Sequence, residues 1–292
     1  MEIFSLHDSI PSEEAVIALG FFDSVHLGHT ALLKETVARA NAYGAIPAVF
    51  TFPTLPTKGE IPILSLKTRL SLFEDAGIRR VILADFSAVQ ALCPEDFVQK
   101  ILVDVCHARA AVCGFDFRFG RGAIGNAARL CALLPDSVTV DALLYQDLPI
   151  STTRIRAALS EGDVSTAAAM LGRPYEVEAP VLHGKSLGKS LGFPTANMKP
   201  DTPLPRAGVY RTRVTVGGRT YLALSDVGTR PTVEGAGEER LETFIPDFSG
   251  DLYGKAVRVA FLSRIRDEMR FSSAEALATQ IAHDLEAVLK EK

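Results

Sequence analysis

Near its start the chain carries two short apolar runs with one helix-like segment between them, and this pattern constrains the fold more than any other feature. The runs are residues 15–20 and 46–52, and residues 29–43 between them have helical periodicity and end before Gly44. Short, continuous apolar runs are typical of strands buried on both faces of a parallel sheet and joined by a crossover helix. The sequence therefore predicts a unit of strand, helix and strand.

The same alternation continues through the first half of the chain. Alternating strands and helices predict a doubly wound, Rossmann-like α/β domain, to which we assign residues 1–172. We predict helices at residues 65–76 and 94–106, the second beginning at a proline, and strands at residues 80–84, 110–113 and 138–140.

From about residue 173 the pattern changes to β-branched segments separated by glycine and proline. Residues 208–216 and 219–224 flank a Gly-Gly pair, which is the composition of a hairpin with a two-residue turn. Residues 272–289 have the periodicity of an amphipathic helix. We therefore predict that residues 173–292 form a small antiparallel β-barrel followed by a helix, so that the fold class is α/β plus β.

Composition argues against several classes of function. The 292 residues carry a formal net charge of −4, whereas a nucleic-acid-binding protein is expected to show a basic surface. No apolar run approaches the roughly 18 residues of a membrane-spanning helix, and the first residues lack the pattern of a secretion signal. The cysteines show no metal-binding spacing. We expect a cytoplasmic protein that binds neither nucleic acid nor membrane, as a monomer or weak homo-oligomer.

A candidate phosphate-binding segment, residues 20–29, follows the first apolar run and ends in a His-x-Gly-His motif. The free N–H groups and the dipole at a helix start attract phosphate, and two histidines can donate to the same oxygens. Donors placed in this way stabilise the charge that develops on the α-phosphate during nucleotidyl transfer. A motif this short more often marks a capped helix, but its position directly after a strand favours phosphate binding. The candidate residues are Gly20, Phe22, Asp23, His26, Gly28 and His29.

A second candidate phosphate-binding segment lies near the end of the same domain. Residues 150–156 read Ile-Ser-Thr-Thr-Arg-Ile-Arg and open another predicted helix. The side chains of Ser151, Thr153 and Arg154 suit the phosphates that leave as pyrophosphate, although an ordinary capped helix has the same composition. Residues 114–122, which hold aromatic residues between glycines, lie between the two motifs in sequence.

The second domain contains a glycine-rich segment that resembles a P-loop without being one. A P-loop needs four residues between its glycines and a helix after them. Here three residues separate Gly184 from Gly188, Lys189 follows, and Pro194 lies where the helix would run. We therefore reject the P-loop interpretation.

A flexible phosphate-binding segment fits these residues better. The glycines can offer backbone N–H groups to the phosphates, while the Thr195 hydroxyl and the Asn197 amide oxygen are the hard oxygen ligands that Mg²⁺ prefers. The run Gly-x-x-x-Gly-Lys-x-Leu-Gly-Phe-Pro-Thr-Ala-Asn is long, and it is the most specific signature in the chain.

Together these motifs make the chain similar to the prokaryotic bifunctional riboflavin kinase/FAD synthetase family, over about residues 16–287. The resemblance implies that the second domain converts riboflavin and ATP to FMN and ADP. It implies that the first domain converts FMN and ATP to FAD and pyrophosphate. Riboflavin, FMN, FAD and ATP are thus the expected ligands, and Mg²⁺ is the expected cofactor at both sites.

The resemblance also implies residue roles. Glu242 would be the base that takes the proton of the ribityl hydroxyl, and His26 and His29 would contact the ATP phosphates. Residues 151–154 would form a mobile triphosphate loop, and residues 226–232 match a family loop near the phosphates. The remaining candidates, which would border the flavin or the nucleotide, are Asp116, Phe117, Arg118, Asn126, Asp226 and Arg230.

Several positions depart from the family pattern, and other functions stay open. Ser24 replaces glycine, Lys189 replaces arginine, Asp226 replaces asparagine, and residues 51–56 read Thr-Phe-Pro-Thr-Leu-Pro in place of Thr-Phe-Asp-Pro-His-Pro. The last change removes an acid and a histidine from the adenylylation site. The alternatives are a riboflavin kinase with a weakened or lost adenylyltransferase half and a non-catalytic flavin-binding regulator. Transfer to a cytidylyl or pantetheine-type substrate accounts for the His-x-Gly-His motif alone.

Overall fold

The computed structural model describes residues 1–55, 60–183, 193–230, 238–246 and 248–290. The chain forms two compact units, Met1–Thr152 and Thr153–Lys292. This division says which residues pack together and does not say which residues catalyse a reaction. The assignment of residues 1–172 and 173–292 to two catalytic modules stays a prediction.

The first unit is built on a six-stranded parallel sheet, which confirms the predicted Rossmann-like fold. The strand order is β1-β4-β3-β2-β5-β8. Every residue of β2 is buried, as its apolar sequence predicts. The strands are β1 (Glu2–Ser5), β2 (Ala15–Leu19), β3 (Ile46–Thr51), β4 (Arg80–Leu83), β5 (Ala108–Gly114) and β8 (Val138–Val140). Short two-residue strands lie between or after them: β6 (Arg118–Phe119), β7 (Gly125–Asn126), β9 (Leu144–Tyr145) and β10 (Leu148–Pro149).

The strand β1 was absent from the sequence prediction. It pairs in parallel with β4, so that Ile3 lies opposite Val81 at the edge of the sheet. An edge strand buries little of its surface, and β1 is mostly exposed. It therefore lacks the continuous apolar run that marked the central strands.

The helices of this unit follow the prediction with one correction. The continuous helix predicted over residues 94–106 consists of a short α-helix and then a π-helix, because Asp104 N–H donates to the Gln99 carbonyl and Cys106 N–H to that of Ile101. Phe97, at the start of the π-helix, is buried in the core. The helices are α1 (Leu27–Tyr43), α2 (Leu66–Asp75), α3 (Phe86–Val89), α4 (Pro94–Asp96), the π-helix (Phe97–Val103), a 3₁₀ turn (Arg121–Ala123) and α5 (Ala127–Leu133).

The second unit contains a closed antiparallel barrel followed by a helix, as predicted, and two further helices precede the barrel. Its strand order is β11-β12-β15-β14-β13-β16, and β16 pairs with β11 to close it. The strands are β11 (Tyr175–Leu182), β12 (Thr195–Met198), β13 (Gly208–Val216), β14 (Arg219–Arg230), β15 (Glu238–Phe244) and β16 (Ala256–Arg266). The helices are α6 (Thr152–Glu161), α7 (Val164–Leu171) and α8 (Ala274–Lys290).

Two local predictions in the barrel can be compared with the structure. The hairpin turn is confirmed, since Gly217 and Gly218 both have positive φ, 56° and 77°. The loop predicted from residue 226 onward is wrong for residues 226–230. These residues continue β14, because their backbone pairs with β15 from Asp226 opposite Glu242 to Arg230 opposite Glu238.

Across the described segments, no helix is both long and apolar enough to cross a membrane.

Candidate active sites

The first candidate site lies at the point of the parallel sheet where the order of the strands reverses, between β2 and β5. From β2 the chain proceeds to β3 on one side, whereas β5 is the neighbour of β2 on the other side. The loops after β2 and β5 therefore diverge and leave a crevice at the carboxyl ends of the strands. The His-x-Gly-His segment follows β2 and residues 115–122 follow β5, so the fold brings both predicted segments to this crevice.

The two histidines of the motif form the N-terminal cap of α1. The Nδ1 atom of His26 accepts the backbone N–H of His29 at 3.1 Å, and the two imidazole rings stack with centroids 3.7 Å apart. Because Nδ1 of His26 is an acceptor, Nε2 carries the proton in the neutral ring and is the atom that can donate to a ligand. The predicted helix start and the proximity of the two histidines are confirmed.

The turn before α1 has an unusual backbone. Phe22 and Val25 have positive φ, 58° and 41°, a conformation that is costly for a β-branched residue. The buried carboxylate of Asp23 accepts the backbone N–H of Ile63 at 2.8 Å, which fixes the turn from below. A Cβ on Gly28 would lie 3.1 Å from Cε1 of His26, so glycine leaves room for the His26 ring over the helix start.

A hydrogen bond joins this turn to the second predicted phosphate segment. The hydroxyls of Ser24 and Thr152 are 3.1 Å apart, and both belong to the first unit. Helix α6 begins at Thr152, directly after Ser151, as predicted. Thr153 and Arg154 are the first residues of the second unit and belong to the same helix.

An aromatic cavity of about 540 Å³ opens beside the crevice. The predicted residues Gly20, Phe117 and Arg118 line it, whereas Asp116 and Asn126 do not. Asn126 instead caps α5, because its side-chain oxygen accepts the backbone N–H of Arg129 at 2.9 Å. The sequence analysis missed five rings of the lining, which stand within or just after strands or on short helices: Phe21, Phe50, Phe52, Phe86 and Phe97.

The second candidate site lies on the barrel, centred on Glu242. In the strand register Glu242 pairs with Asn197 on one side and with Asp226 on the other. Side chains directly opposite each other share a face of the sheet. The Thr195 hydroxyl lies 3.4 Å from a carboxylate oxygen of Glu242. The structure thus brings four predicted residues of the kinase site together.

The amide group of Asn197 has an unsatisfied oxygen. The residue is buried, and its Oδ1 atom has no hydrogen-bond partner among the described residues. A buried polar atom without a partner is costly, and an amide oxygen suits a hard cation. Asn197 and Thr195 therefore fit the predicted Mg²⁺ ligands. No cluster of three or more His, Cys, Asp or Glu in the described part of the chain offers an alternative metal site.

Two cavities meet at Thr195. One, of about 320 Å³, is lined by Thr195, Asp226 and Glu242 together with aromatic and aliphatic side chains such as Phe193 and Phe244. The other, of about 400 Å³, is lined by Thr195, Thr243 and the exposed Tyr253, whose ring stacks on that of His183 at 3.9 Å. A residue that faces both cavities can contact groups bound in each.

The carboxyl group of Asp226 has a perturbed acidity. Its side chain remains exposed on one side, yet the walls of the cavity desolvate it, and Glu268 and Glu242 add negative charge nearby. These effects raise the pKa of Asp226 to about 6, against a smaller lowering by Arg266.

Helix α8 closes one side of the smaller cavity. Arg266, at the end of β16, forms an ion pair at 2.7 Å with the buried carboxylate of Asp284 on α8. Arg211 also donates to the Val288 carbonyl at 3.0 Å. These contacts hold Ile281 and Asp284 in the cavity wall.

The remaining predicted residues cannot be placed. Gly184, Gly188 and Lys189 lie outside the described residues, and so does the side chain of Arg230, which ends β14.

Comparisons with known proteins match the two parts of the chain to two different family models. The family model described as FAD synthetase matches residues 9–154, and the model described as riboflavin kinase matches residues 171–291. Proteins named bifunctional riboflavin kinase/FMN adenylyltransferase are similar over most of their length. The Pseudomonas fluorescens protein is 35% identical, with 97% of this chain and 94% of the relative covered. The Bacillus subtilis protein is 32% identical, with 97% and 95% covered.

A solved structure shares the whole fold. The Streptococcus pneumoniae protein named "Macrolide-efflux Protein" superposes with a TM-score of 0.92 at 30% identity, and the match covers 100% of both chains.

Proposed function

Because this chain belongs to the bifunctional riboflavin kinase/FMN adenylyltransferase family, we propose which residues perform each of its two reactions. The enzyme phosphorylates riboflavin to FMN and adenylylates FMN to FAD, and each reaction uses one ATP. The placement of Glu242 between Asn197 and Asp226, beside Thr195, is the observation that carries the residue assignment.

In the kinase reaction Glu242 takes the proton of the ribityl 5′-hydroxyl as that oxygen attacks the γ-phosphorus of ATP. A primary alcohol is a weak nucleophile, and a carboxylate within hydrogen-bond reach activates it. We assign the flavin to the cavity of about 320 Å³, whose aromatic and aliphatic walls suit a planar ring. We assign ATP to the cavity of about 400 Å³ on the other side of Thr195, so that the reacting groups meet near this residue.

We assign Mg²⁺ in the kinase site to the Thr195 hydroxyl and the Asn197 amide oxygen. The buried, unsatisfied Oδ1 atom of Asn197 supports this assignment. Mg²⁺ usually takes few protein ligands and completes its shell with phosphate oxygens and water. When bound, the metal would neutralise charge on the transferred phosphate, and Thr195 and Asn197 would hold it where that phosphate lies.

In the adenylylation reaction the phosphate of FMN attacks the α-phosphorus of the second ATP, and pyrophosphate leaves. Nε2 of His26, the His29 side chain and the N–H groups at the start of α1 stabilise the charge on the reacting phosphate. Ser151, Thr153 and Arg154 bind the leaving phosphates. The isoalloxazine ring of FMN occupies the aromatic cavity of about 540 Å³, where ring stacking supplies the affinity.

We further propose that the protein works in the cytoplasm, as a monomer or weak homo-oligomer, without nucleic acid or membrane. The slightly acidic net charge of −4 supports the absence of a nucleic-acid partner.

The residue assignment is tested by following products in two variants. Glu242→Gln keeps the size of the side chain but removes the base, so FMN formation from riboflavin should stop while FAD is still made from supplied FMN. His29→Ala should stop FAD formation and leave FMN formation intact. If either variant loses both products, or neither, the assignment of the two reactions to separate sites is wrong.

A further inference from the structure

A fully buried arginine joins two of the loops that carry rings of the aromatic cavity, the loop after β2 and the loop after β3. Arg69 on α2 has 0% relative exposure. Its guanidinium donates to the carbonyl of Phe21 at 2.7 Å and to the carbonyls of Phe52 and Pro53 at 2.9 and 3.0 Å. The Thr51 hydroxyl donates to the same Phe21 carbonyl at 2.9 Å. One side chain thus fixes the backbone after β2 and the backbone after β3.

The guanidinium also holds one ring directly. It lies over the ring of Phe21, 4.6 Å from the centroid, which is the geometry of a cation–π contact. Phe21 and Phe52 both line the cavity of about 540 Å³. Arg69 itself is absent from that lining and lies behind the rings.

The polar contacts of the loop after β3 come largely from Arg69, whereas the Phe52 ring packs edge-to-face on Phe50 and Phe86. The described residues of this loop, 52–55, are Phe, Pro, Thr and Leu, and none of them carries a charge. Burial lowers the pKa of Arg69 to about 10, so the group stays charged at neutral pH. A buried charge must keep its hydrogen bonds, and this requirement ties both loops to one geometry.

We propose that Arg69 is a positioning residue for FMN in the adenylylation site: it holds the Phe21 and Phe52 rings apart at the spacing the flavin needs. This inference rests on the proposed function of the aromatic cavity. The residue touches no reacting atom. Its loss therefore weakens FMN binding and leaves the transfer step itself largely unchanged.

The chain offers a matched control for the loss of stability that follows when any buried arginine is replaced. Arg80, at 1% exposure, lies on β4, in the sheet whose strands β2 and β3 end beside Arg69, and it donates to the Pro11 carbonyl at 3.2 Å. It also pairs with Glu13 at 3.0 Å. These contacts lie at the amino end of β4, whereas Arg69 contacts the carboxyl ends of β2 and β3. A lysine at either position keeps the charge and removes the planar fork of donors.

The experiment compares Arg69→Lys and Arg80→Lys with the wild type in FAD synthesis from FMN and ATP. FAD formation reports only on the first site, so the second flavin site does not interfere. For Arg69→Lys we expect the KM for FMN to rise about tenfold, because losing one good hydrogen bond weakens binding by about this factor. We expect kcat at saturating FMN and the KM for ATP to change less than about twofold. Arg80→Lys should lower Tm without changing the KM for FMN.

A third variant keeps the test decisive if Arg69→Lys does not fold. Thr51→Val preserves shape and removes one bond to the Phe21 carbonyl, so it should raise the KM for FMN by a smaller factor. An unchanged KM for FMN in Arg69→Lys, or in Thr51→Val when the first does not fold, overturns the inference. So does an equal rise in Arg80→Lys. If the wild type makes no FAD at all, it is the proposed function of the cavity that fails.

Discussion

Asp226→Asn should make the second unit more stable at high pH and leave its stability unchanged at low pH. Asp226 faces Glu242 across the strand pair, and Glu268 lies close to Gly228 on the same strand as Asp226. The pKa of Asp226 is raised from 3.8 to about 6, chiefly by desolvation and then by Glu268 and Glu242. The folded protein thus binds this proton more tightly than the unfolded chain does.

The sign and size of the effect follow from that shift. A raised pKa contributes stability below the unfolded value, and the contribution is lost as pH rises through about 6. Asp226 is roughly nine-tenths protonated at pH 5 and nine-tenths ionised at pH 7. Because the side chain is exposed, solvent screens the repulsion of Asp226 by Glu268 and Glu242. The gain in stability of Asp226→Asn at high pH is therefore about 1 kcal/mol at most, which corresponds to about 2–4 °C in Tm.

The assay is thermal unfolding of wild type and Asp226→Asn from pH 4 to pH 8, without nucleotide or Mg²⁺. The difference in Tm should be small at pH 4, should grow as the pH rises from 4 to 6 and should be complete above pH 7, with a midpoint at about pH 5, between the unfolded pKa of 3.8 and the folded pKa of about 6. Asp201→Asn is the matched control, since Asp201 is exposed and lies outside both barrel cavities. A difference that does not depend on pH, or an Asp226→Asn variant that is less stable at pH 8, refutes the reasoning.

Three further predictions concern the two sites. Gly28→Ala should lower the rate of FAD formation at least about tenfold without affecting the kinase, because the new Cβ would lie 3.1 Å from the His26 ring. An unchanged rate in a coupled pyrophosphate assay would contradict this. Asn197→Ala should raise the Mg²⁺ concentration for half-maximal FMN formation about tenfold, and an unaltered Mg²⁺ titration would remove this residue from the metal site. Asp284→Ala removes the carboxylate that pairs with Arg266, so denaturant unfolding should show a free energy of unfolding lower by about 3 kcal/mol, and the KM for riboflavin should rise. A stability equal to that of the wild type would show that the pair does not hold α8.

The parts of the sites that depend on neighbouring residues could be predicted from the sequence. The cap formed by His26 and His29 lies within one turn of helix, and the strand directly before it already favoured phosphate binding there. The Gly-Gly turn is likewise local, because only glycine adopts two successive positive φ values at little cost. In both cases short-range geometry decides the structure.

The parts that depend on strand register could not be predicted in the same way. Glu242, Asn197 and Asp226 come from three strands, and a slip of one residue would turn any of them to the other face. The loop prediction for residues 226–230 failed for a related reason, since a partner strand eight or more residues away decides whether they are extended. The aromatic cavity was missed because a phenylalanine after a strand is as typical of a core as of a ligand site. The contact of Arg69 with both loops leaves no trace in local sequence.

The account claims that one site cleaves ATP at the terminal phosphorus and the other at the innermost, and isotope position tests this most directly. The purified chain is supplied with riboflavin, Mg²⁺ and ATP labelled with ³²P at either the γ or the α position, and the flavins are separated. Label from the γ position should appear in FMN and in FAD, whereas label from the α position should appear in FAD and never in FMN. Label from the α position in FMN, or FMN without label from the γ position, would contradict the account.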